Sequence, residues 1–581
     1  MKRKAAGSVS ARLGVALPGS LLTAWGDRPV APTRKWLGVA LLGSLFTACG
    51  GGGANAGDAG QPDVATFSGG PAGGVLVVLM DGEPDDLNPV TYTSLPSAQA
   101  VHLMFRALAR RDSTLSGYQP DLAASWEVEG DSAVVFHLRD DVSWHDGTKV
   151  TAEDVAFTIN LQRDPVVASP RSPDVAAVTG VTVIDSVTVK VGLGGTGRYT
   201  VNALLEVVPV PRHLLEGVVR SEMRMAPFSR QPVGNGFYRF GQWVPGQRLM
   251  LEVNPAMPEG RAALDRIVIQ VVPDMNVALT ELLAGQGDVL KVPPALAAQV
   301  ESSRAAKLFG APRVRPSWIA WNTSREPTND SRVRRALLMA VDREEIVAGL
   351  FGETGEVSWT PIPPALREHS PSTRPITFDP DGARRLLEEA GWRDTNGDGI
   401  RDRNGVPLRV EVDYISADQT RADVLIAMQS MLRRVGVDLA PRAYERTAWV
   451  ERLRGQQFQG SSWGWGWGPG VVGPNAEAVF HSRSIPPAGV NFAGLNNPRV
   501  DSLIDAALVT RDTVQLRRVW ATFEQLVVDD PVYAPIYLDP ELYGVNSRFE
   551  NVTFRRGLEL WEDVIHWYIP VESRLSRDRS R

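Results

Sequence analysis

The sequence predicts an α/β protein of several domains or lobes. Its 581 residues are 43% hydrophobic and 22% charged, which is an ordinary composition for a folded protein with a large buried core. From Val75 onward, short apolar segments alternate with longer segments of helical periodicity, a pattern typical of α/β proteins. No internal repeat runs through this part of the chain, which argues against solenoid and propeller folds.

The pattern assigns individual elements in chain order. Thr151 and Asp154, three residues apart, form a capping box that predicts the start of a helix. The strands expected from short apolar runs are residues 75–80, 134–139, 248–253 and 266–272, with a hairpin of 181–184 and 187–191. The helices expected from helical periodicity are residues 97–111, 151–162 and 275–284, followed by helices that begin near Ser331, Asp381, Thr420, Pro498 and Thr513.

Charge and cysteine content argue against several classes of function. Acidic residues outnumber basic ones, 67 to 61, and no basic cluster occurs, which argues against nucleic-acid binding. A single cysteine excludes a disulfide framework and a cysteine-based zinc site. The seven histidines are scattered without a His-Glu-x-x-His motif, which argues against a zinc enzyme.

An export signal, cleaved from the mature protein, is predicted at residues 1–48. Basic residues at 34–35 precede an apolar run at 36–46, and this run is too short to cross a bilayer. Two small residues then lead to Cys49. The order resembles the signal of a bacterial lipoprotein, which implies that Cys49 is lipidated and becomes the mature N-terminus.

The signal segment occurs in two similar copies, and a glycine-rich segment follows the second copy. Residues 13–26 repeat residues 37–50 with 11 of 14 positions identical, but Trp25 stands in the first copy where the second copy has Cys49. Only the second copy can therefore be lipidated. Residues 49–74, which include ten glycines, predict a flexible tether between the lipid anchor and the folded body.

Short motifs distributed along the chain resemble those of one known family. They include Trp-His-Asp-Gly-Thr at 144–148 and Pro-Val-Gly-Asn-Gly-Phe-Tyr at 232–238. The other matching segments are residues 120–126, 135–139, 151–155, 321–322, 333–336, 340–343 and 383–392. In this order they closely resemble the extracytoplasmic solute-binding proteins of ABC importers, of the oligopeptide, dipeptide and nickel-binding class. The resemblance covers the chain from Val75 to its end, and most of the motifs are interpreted as structural.

The resemblance implies a two-lobed periplasmic-binding-protein fold, similar to type II, with a ligand cleft between the lobes and an extra subdomain inserted into the first lobe. Hinge closure of the lobes would surround the ligand with polar groups and exclude water. The expected division is lobe I at 75–112, 231–316 and 531–581, the inserted subdomain at 113–230, and lobe II at 317–530.

The segment 461–469, Ser-Ser-Trp-Gly-Trp-Gly-Trp-Gly-Pro, is the strongest candidate for a ligand contact. In an extended chain, Trp463, Trp465 and Trp467 would project to one face and stack on ligand, with packing in the lobe core as the alternative. In peptide-binding relatives, a segment here carries an aspartate that pairs with the α-amino group of the ligand. Here the first acid after the segment is Glu477, which favours a neutral, acylated, sugar-like or aromatic ligand.

Three further residues complete the predicted ligand-binding set. Arg421, near the start of a predicted helix, can pair with a carboxylate of the ligand if it faces the cleft, whereas a solvated helix face is the alternative. Thr93 and Ser94, in the polar stretch before the helix at 97–111, are added to the set as ligand-binding residues.

A calcium site is possible at the loop 394–402. Its oxygen ligands would come from Asp394, Asn396, Asp398, the carbonyl of Ile400, and Asp402. Gly405 stands where the bidentate glutamate of an EF-hand loop belongs, so a polar turn explains the sequence equally well.

A hydrolase is the alternative from another functional class. Residues 460–464 match Gly-x-Ser-x-Gly, with Ser462 as nucleophile and His481 or His566 as base. Glycine and tryptophan alternate directly after Ser462, so the helix that a nucleophile elbow requires is not expected.

The sequence is therefore interpreted as a membrane-anchored solute-binding lipoprotein that hands a small solute or peptide to the permease subunits of an ABC transporter. We expect no catalysis and, the possible calcium apart, no cofactor. The protein is expected to be a monomer in the cell envelope, held to the membrane only by its lipid anchor and facing the periplasm or the exterior. The alternatives are a secreted envelope hydrolase, and a binding lipoprotein for a non-peptide ligand such as a nickel chelate or a sugar.

Overall fold

The computed structural model describes residues 66, 69–112, 117–195, 197–467, 472–554 and 563–579. The predicted signal at residues 1–48, the lipidation site Cys49 and most of the predicted tether lie outside the described residues. Pro62–Arg581 forms one compact unit. Within the described part of the chain, no helix has the length and apolar character needed to span a membrane.

Helices and strands alternate along the described chain, which confirms the predicted α/β class. The strands are β1 (Val75–Met80), β2 (Ala109–Arg111), β3 (Tyr118–Pro120), β4 (Ala123–Glu129), β5 (Ala133–Leu138), β6 (Val178–Asp185), β7 (Thr188–Leu193), β8 (Tyr238–Val244), β9 (Arg248–Val253), β10 (Arg266–Val271), β11 (Val289–Lys291), β12 (Ala306–Trp321), β13 (Glu356–Val357), β14 (Asp402–Arg403), β15 (Val406–Pro407), β16 (Arg409–Ile415), β17 (Asp438–Tyr444), β18 (Gly460–Gly464) and β19 (Tyr533–Asn546). The helices are α1 (Leu95–Met104), α2 (Ala152–Arg163), α3 (Arg198–Leu205), α4 (Arg212–Leu215), α5 (Met275–Leu283), α6 (Ala297–Glu301), α7 (Ser331–Met339), α8 (Arg343–Phe351), α9 (Pro380–Glu389), α10 (Gln419–Arg433), α11 (Arg446–Arg454), α12 (Val472–Phe480), α13 (Pro498–Val509), α14 (Thr513–Asp529) and α15 (Ser576–Arg579).

One continuous sheet runs through both lobes, in the order β17-β16-β18-β12-β19-β11-β1-β10-β9-β8. Its centre is the antiparallel pair of β12 and β19, which are 16 and 14 residues long. Ala306 pairs with Asn546 at the lobe I end of this pair, and Ala320 pairs with Tyr533 at the lobe II end. The two long strands therefore connect the lobes.

The lobes meet in the middle of β19 rather than between two elements. Ala534 and Ile536, near the start of β19, pack in the core of lobe II, whereas Tyr543 and Val545 pack in the core of lobe I. β19 thus contributes side chains to the cores of both lobes, and the division of the lobes at residue 531 stays a prediction.

The inserted subdomain has its own four-stranded sheet, in the order β4-β5-β7-β6. Strands β6 and β7 form the predicted hairpin, with Val181 opposite Val191. The predicted capping box of α2 is confirmed, since a carboxylate oxygen of Asp154 accepts a hydrogen bond from the backbone N–H of Thr151 at 2.9 Å. Buried side chains of this subdomain, such as Phe136, belong to the same apolar core as the lobe I strands, so the subdomain is fixed to lobe I.

The helix predicted at 97–111 ends earlier than expected. α1 stops at Met104, because Phe105 has an extended backbone and the carbonyl of Met104 accepts hydrogen bonds from the backbone N–H groups of Asn235 and Gly236 at 3.0 and 2.8 Å. A Cβ on Gly236 would lie 2.7 Å from the carbonyl carbon of Met104. Gly236 of the 232–238 motif thus allows the close approach of two backbone segments. After Phe105 the chain continues into β2 rather than into a longer helix.

The end of the predicted tether packs against lobe I. Thr66 forms an isolated parallel bridge with Arg261, and the backbone N–H of Gly73 donates to the carbonyl of Ala263 at 2.8 Å. Residues 66 and 73, which belong to the predicted tether at 49–74, therefore already contact the body of the protein.

His145 of the Trp-His-Asp-Gly-Thr motif is held between two backbone groups of the 232–238 segment. Its Nδ1 accepts from the backbone N–H of Gly234 at 3.2 Å, and its Nε2 donates to the carbonyl of Gly236 at 3.1 Å. Burial lowers the pKa of His145 to about 4. A proton on Nδ1 would remove the acceptor that Gly234 uses, because a charged imidazole has two donors and no acceptor.

We expect the free energy of unfolding to decrease as the pH falls from about 6.5 to about 4. In this range the unfolded chain binds a proton at residue 145 that the folded chain excludes, so the stabilisation present above pH 6.5 is lost toward pH 4. A pKa difference of this size corresponds to about 3 kcal/mol. Urea unfolding at pH 7 and pH 5 should show a weaker pH dependence for His145→Gln than for wild type.

The control is His102→Gln, since His102 is exposed near the end of α1. This variant should keep the pH dependence of the wild type. An unchanged pH dependence in His145→Gln would contradict the assignment.

Candidate functional site

Strands from both lobes end near the place where the paired strands β12 and β19 pass from one lobe to the other. In lobe I, β1 runs parallel to β11, and Lys291 at the carboxyl end of β11 pairs with Tyr543, three residues before the end of β19. In lobe II, β18 runs parallel to β16, and Gly464 at its carboxyl end pairs with Ser317 in β12. Ligands of open α/β sheets bind at the carboxyl ends of the strands. The candidate ligand site is therefore the space between the two lobes beside this part of the β12–β19 pair, which is called the gap below.

A polar cluster that the sequence did not predict lies on the lobe II side of the gap. A carboxylate oxygen of Asp539 accepts a hydrogen bond from Ser317 Oγ at 2.6 Å, and its other oxygen lies 3.4 Å from Arg315 Nε. The Arg315 guanidinium also donates to the carbonyl of Gly464 at 3.3 Å. Asp539 and Ser317 are 222 positions apart, so only the pairing of β12 with β19 brings them together.

Arg421 is buried at the start of α10 rather than on a solvated helix face. Its Nε donates to Asp418 at 2.8 Å, and its Nη1 donates to Ser462 Oγ at 3.4 Å. Burial by itself lowers the pKa of Arg421, but Tyr537, Asp539 and Asp418 outweigh it, so the pKa lies above the usual value. The arginine is therefore charged and already has a carboxylate partner, and its contact with a ligand stays a prediction.

The tryptophan segment does not form one flat face. β18 ends at Gly464, so only Trp463 lies in the strand. Trp463 is 6% exposed and Trp467 is 0% exposed, and both pack in a core of lobe II, as the alternative interpretation expected. Trp465 is partly exposed, and its ring stands perpendicular to that of Trp463 at a centroid distance of 6.0 Å. Of the three, Trp465 therefore offers the most surface to a ligand, and stacking on ligand stays a prediction.

Thr93 and Ser94 lie at the N-terminus of α1, after the carboxyl end of β1. The hydroxyl of Thr93 donates to Asp85 at 2.6 Å, and the backbone N–H of Ser94 donates to the same carboxylate at 3.0 Å. Burial would raise the pKa of Asp85, but hydrogen bonds from Ser97, Thr93 and Ser94 lower it well below its usual value. The polar groups of this turn thus hold an ionised carboxylate, and ligand binding by Thr93 and Ser94 stays a prediction.

The carboxylate oxygens of the loop 394–402 accept hydrogen bonds from backbone N–H groups of the same loop. The carboxylate of Asp394 accepts from the N–H groups of Gly397 and Gly399 at 2.7 and 3.0 Å, and that of Asp402 accepts from Thr395 at 2.9 Å. In the described ranges, no group of three or more His, Cys, Asp or Glu side chains is placed to hold a metal ion. These contacts support the polar-turn alternative. Calcium binding remains a prediction for the five residues named earlier, Asp394, Asn396, Asp398, Ile400 and Asp402.

Ser462 lies in a setting unlike that of a hydrolase nucleophile. Its side chain is buried and its hydroxyl accepts from Arg421, while His481 lies 3.5 Å from Asp501. Residues 465–467 are irregular, so no helix begins directly after the strand that carries Ser462. The geometry therefore gives no support to a nucleophile elbow at this position.

Two α/β lobes joined by a pair of long strands, with a polar gap between the strand ends of both, define a two-lobed solute-binding protein. The family model described as bacterial extracellular solute-binding proteins, family 5 Middle, matches residues 117–486, and the chain belongs to this family. The protein is therefore an extracytoplasmic substrate-binding protein of an ABC transporter. This confirms the predicted family and fold class, and the family is one that binds solutes rather than catalysing reactions.

Individual relatives cover nearly the whole described body. The oligopeptide-binding protein AppA of Bacillus subtilis is 27% identical over 502 residues, which are 86% of this chain and 92% of that protein. The structure of AppA in complex with a nonapeptide has a TM-score of 0.70 and covers 86% of this chain and 99% of that one. NikZ from Campylobacter jejuni, solved in complex with Ni(L-His), shows the same fold at 24% identity, with a TM-score of 0.73 and coverage of 85% and 99%.

Substitution of the tryptophans should separate core packing from surface exposure. We expect Trp467→Ala to reduce the free energy of unfolding by about 3–5 kcal/mol, because it removes a fully buried indole. Trp465→Ala should cost less than half as much, since its side chain is partly exposed. Urea unfolding of the two variants, which serve as matched controls for each other, checks this order. Equal losses would mean that Trp465 is also part of the core.

Proposed function

We propose that this protein captures a peptide or peptide-like solute between its lobes and delivers it to the permease subunits of an ABC transporter. The observation that supports the proposal most is that strands of both lobes end beside the β12–β19 pair, which carries the polar cluster of Ser317, Arg315 and Asp539. The oligopeptide-binding protein AppA, which shares the fold over almost its whole length, supports a peptide as the class of ligand.

The charges around the gap favour a ligand without a free amino group at the tryptophan segment. Three carboxylates on the lobe II side already lie beside cations: Asp418 binds Arg421, Asp539 lies beside Arg315, and Asp413 binds Arg452. No acid occurs at 461–467. A buried ammonium that lacks a free carboxylate partner is costly, so an N-blocked peptide or an uncharged ligand fits better.

Paired peptides test this preference. We expect calorimetry with N-acetylated and free oligoalanine peptides of the same lengths to show binding of the acetylated form that is about tenfold tighter or more, or about 1.4 kcal/mol. Gly466→Asp should improve the affinity for the free form, because a side chain at Gly466 meets no atom within 4 Å and places a carboxylate next to Trp465.

The matched control is Gly217→Asp, another glycine whose Cβ would meet no atom within 4 Å, in the inserted subdomain. This variant should leave both affinities unchanged. Strong binding of the free peptide alone to the wild type would contradict the preference and would mean that another acid, such as Glu477 or Asp413, anchors the amine.

A non-peptide ligand is the second outcome of these measurements. NikZ, with the same fold, is described in complex with Ni(L-His). Mass spectrometry of any ligand that stays with the protein through purification distinguishes a peptide from a nickel chelate or a sugar. Recovery of a non-peptide ligand, together with no binding of either oligoalanine form, would overturn the peptide proposal and leave solute capture intact.

We also propose that the protein is a monomer held in the cell envelope by a lipid on Cys49. The sequence order of basic residues, apolar run, small residues and cysteine supports this anchor. Cys49→Ala should release the protein from the membrane fraction or leave it unprocessed, as measured by cell fractionation and the mass of the N-terminal peptide. Trp25→Ala, the equivalent position of the first signal copy, should leave membrane association unchanged. An unmodified Cys49 thiol in membrane-bound protein would contradict the proposal.

A further inference from the structure

The inserted subdomain and lobe II touch at a second place, away from the β12–β19 pair. Helix α3 of the subdomain lies against α12 and α13 of lobe II. Tyr199 in α3 is 3% exposed and belongs to the apolar core of lobe II, together with Trp520 of α14. A side chain from one lobe is thus buried in the core of the other.

The hydroxyl of Tyr199 makes a hydrogen bond to lobe II. Trp520 Nε1 donates to it at 2.9 Å, and the two rings meet edge to face at a centroid distance of 6.4 Å. Burial raises the pKa of Tyr199, and the negative charge of the buried Glu368 of lobe II raises it further. The hydrogen bond between Tyr199 and Trp520 exists only while the lobes are in contact, because its two partners come from different lobes.

The backbones also approach closely at this contact. A Cβ on Gly197, which precedes α3, would lie 2.2 Å from the carbonyl oxygen of Leu508 in α13. The φ of Gly197 is −52°, so alanine is compatible with its backbone conformation. Nearby, the Arg511 guanidinium lies 2.6 Å from the carboxylate of Asp131, in the turn between β4 and β5. The second interlobe contact therefore combines aromatic packing, hydrogen bonds and an ion pair.

We propose that Tyr199 is a positioning residue that sets the closure of the lobes. The subdomain shares its core with lobe I and moves with it, so the contact of Tyr199 with Trp520 stabilises the closed arrangement. The apparent affinity for a ligand that binds the closed arrangement is proportional to the closed fraction. This inference rests on the proposed capture of solute by closure, and it makes affinity depend on residues outside the strand ends that form the candidate ligand site.

Gly197→Ala is the sharpest test, because the three atoms nearest the added methyl group all belong to Leu508 and Val509 of lobe II. We expect hydrogen exchange of the α3 and α14 amides to be at least tenfold faster than in wild type, and the radius of gyration in solution scattering to be larger. The affinity for the N-acetylated oligoalanine peptide should fall at least fivefold. Gly217→Ala, in the same subdomain with no atom within 4 Å of the added Cβ, should match the wild type in all three measurements.

Tyr199→Phe is the second variant, and it decides the question if Gly197→Ala does not fold. It keeps the ring and leaves Trp520 Nε1 without its hydrogen-bond partner, so exchange of α3 should increase severalfold and affinity should fall. Its control is Tyr238→Phe, which removes a fully buried hydroxyl that donates to the Leu264 carbonyl within lobe I. The control should leave α3 exchange and affinity at their wild-type values.

The results separate this inference from the proposed ligand class. Wild-type exchange rates, radius of gyration and affinity in both Gly197→Ala and Tyr199→Phe would overturn the role of Tyr199, whatever the ligand is. If neither form of the peptide binds wild type, the peptide proposal fails, while exchange and scattering, which require no ligand, still decide whether the contact holds the lobes together.

Discussion

The antiparallel pairing of β12 with β19 is the constraint on which the rest of the structure depends. Both strands run through the two lobes, and every other strand of the main sheet is built outward from them. The ladder is regular at its two ends and shifts register between Pro312 and Pro316, opposite Pro540 and Leu538. Proline has no N–H to donate, so fewer cross-strand hydrogen bonds oppose bending there than within either lobe. The irregular part of the ladder therefore falls between the two lobes.

This constraint also determines where the candidate site lies. In each lobe the flanking strand ends beside the long pair. β11 ends at Lys291 opposite Tyr543 and β18 at Gly464 opposite Ser317, so the two ends lie on either side of the register shift. Ser317 and Arg315 of β12 bind Asp539 of β19 directly at this register shift. A ligand bound at the proposed site would contact the two long strands themselves. Ligand binding would then be coupled to the angle between the lobes without a separate relay of side chains.

Sequence reasoning was most successful where local rules determine the structure. The capping box at Thr151, the hairpin of β6 and β7 and the starts of α7 and α13 follow from a few neighbouring residues, and all were predicted. The long strands β12 and β19 were not predicted, because prolines such as Pro316 and Pro535 interrupt their apolar patterns and each strand changes from one core to another along its length. The family resemblance supplied the two-lobed plan that periodicity could not.

The candidate site was less predictable than the fold, because its partners are far apart in sequence. Asp539 stands in a segment without any recognised motif, and its meeting with Ser317 depends on the register of the long strands. The buried state of Trp463 and Trp467 depends on side chains such as Phe492 and Phe480, which no spacing rule connects to the Trp-Gly repeat. Composition identified the segment as unusual, but only packing separates its core residues from its surface residue.

The two interlobe contacts have different physical roles. The β12–β19 pair is continuous with both lobes, whereas the contact at α3 joins side chains of the subdomain to lobe II. In the proposed closure, the first connects the lobes throughout and the second stabilises the closed arrangement. Because the α3 contact lies outside the strand ends, the residues that meet the solute can change without altering the closed arrangement. Such a separation is consistent with one fold serving relatives whose described ligands are as different as a nonapeptide and Ni(L-His).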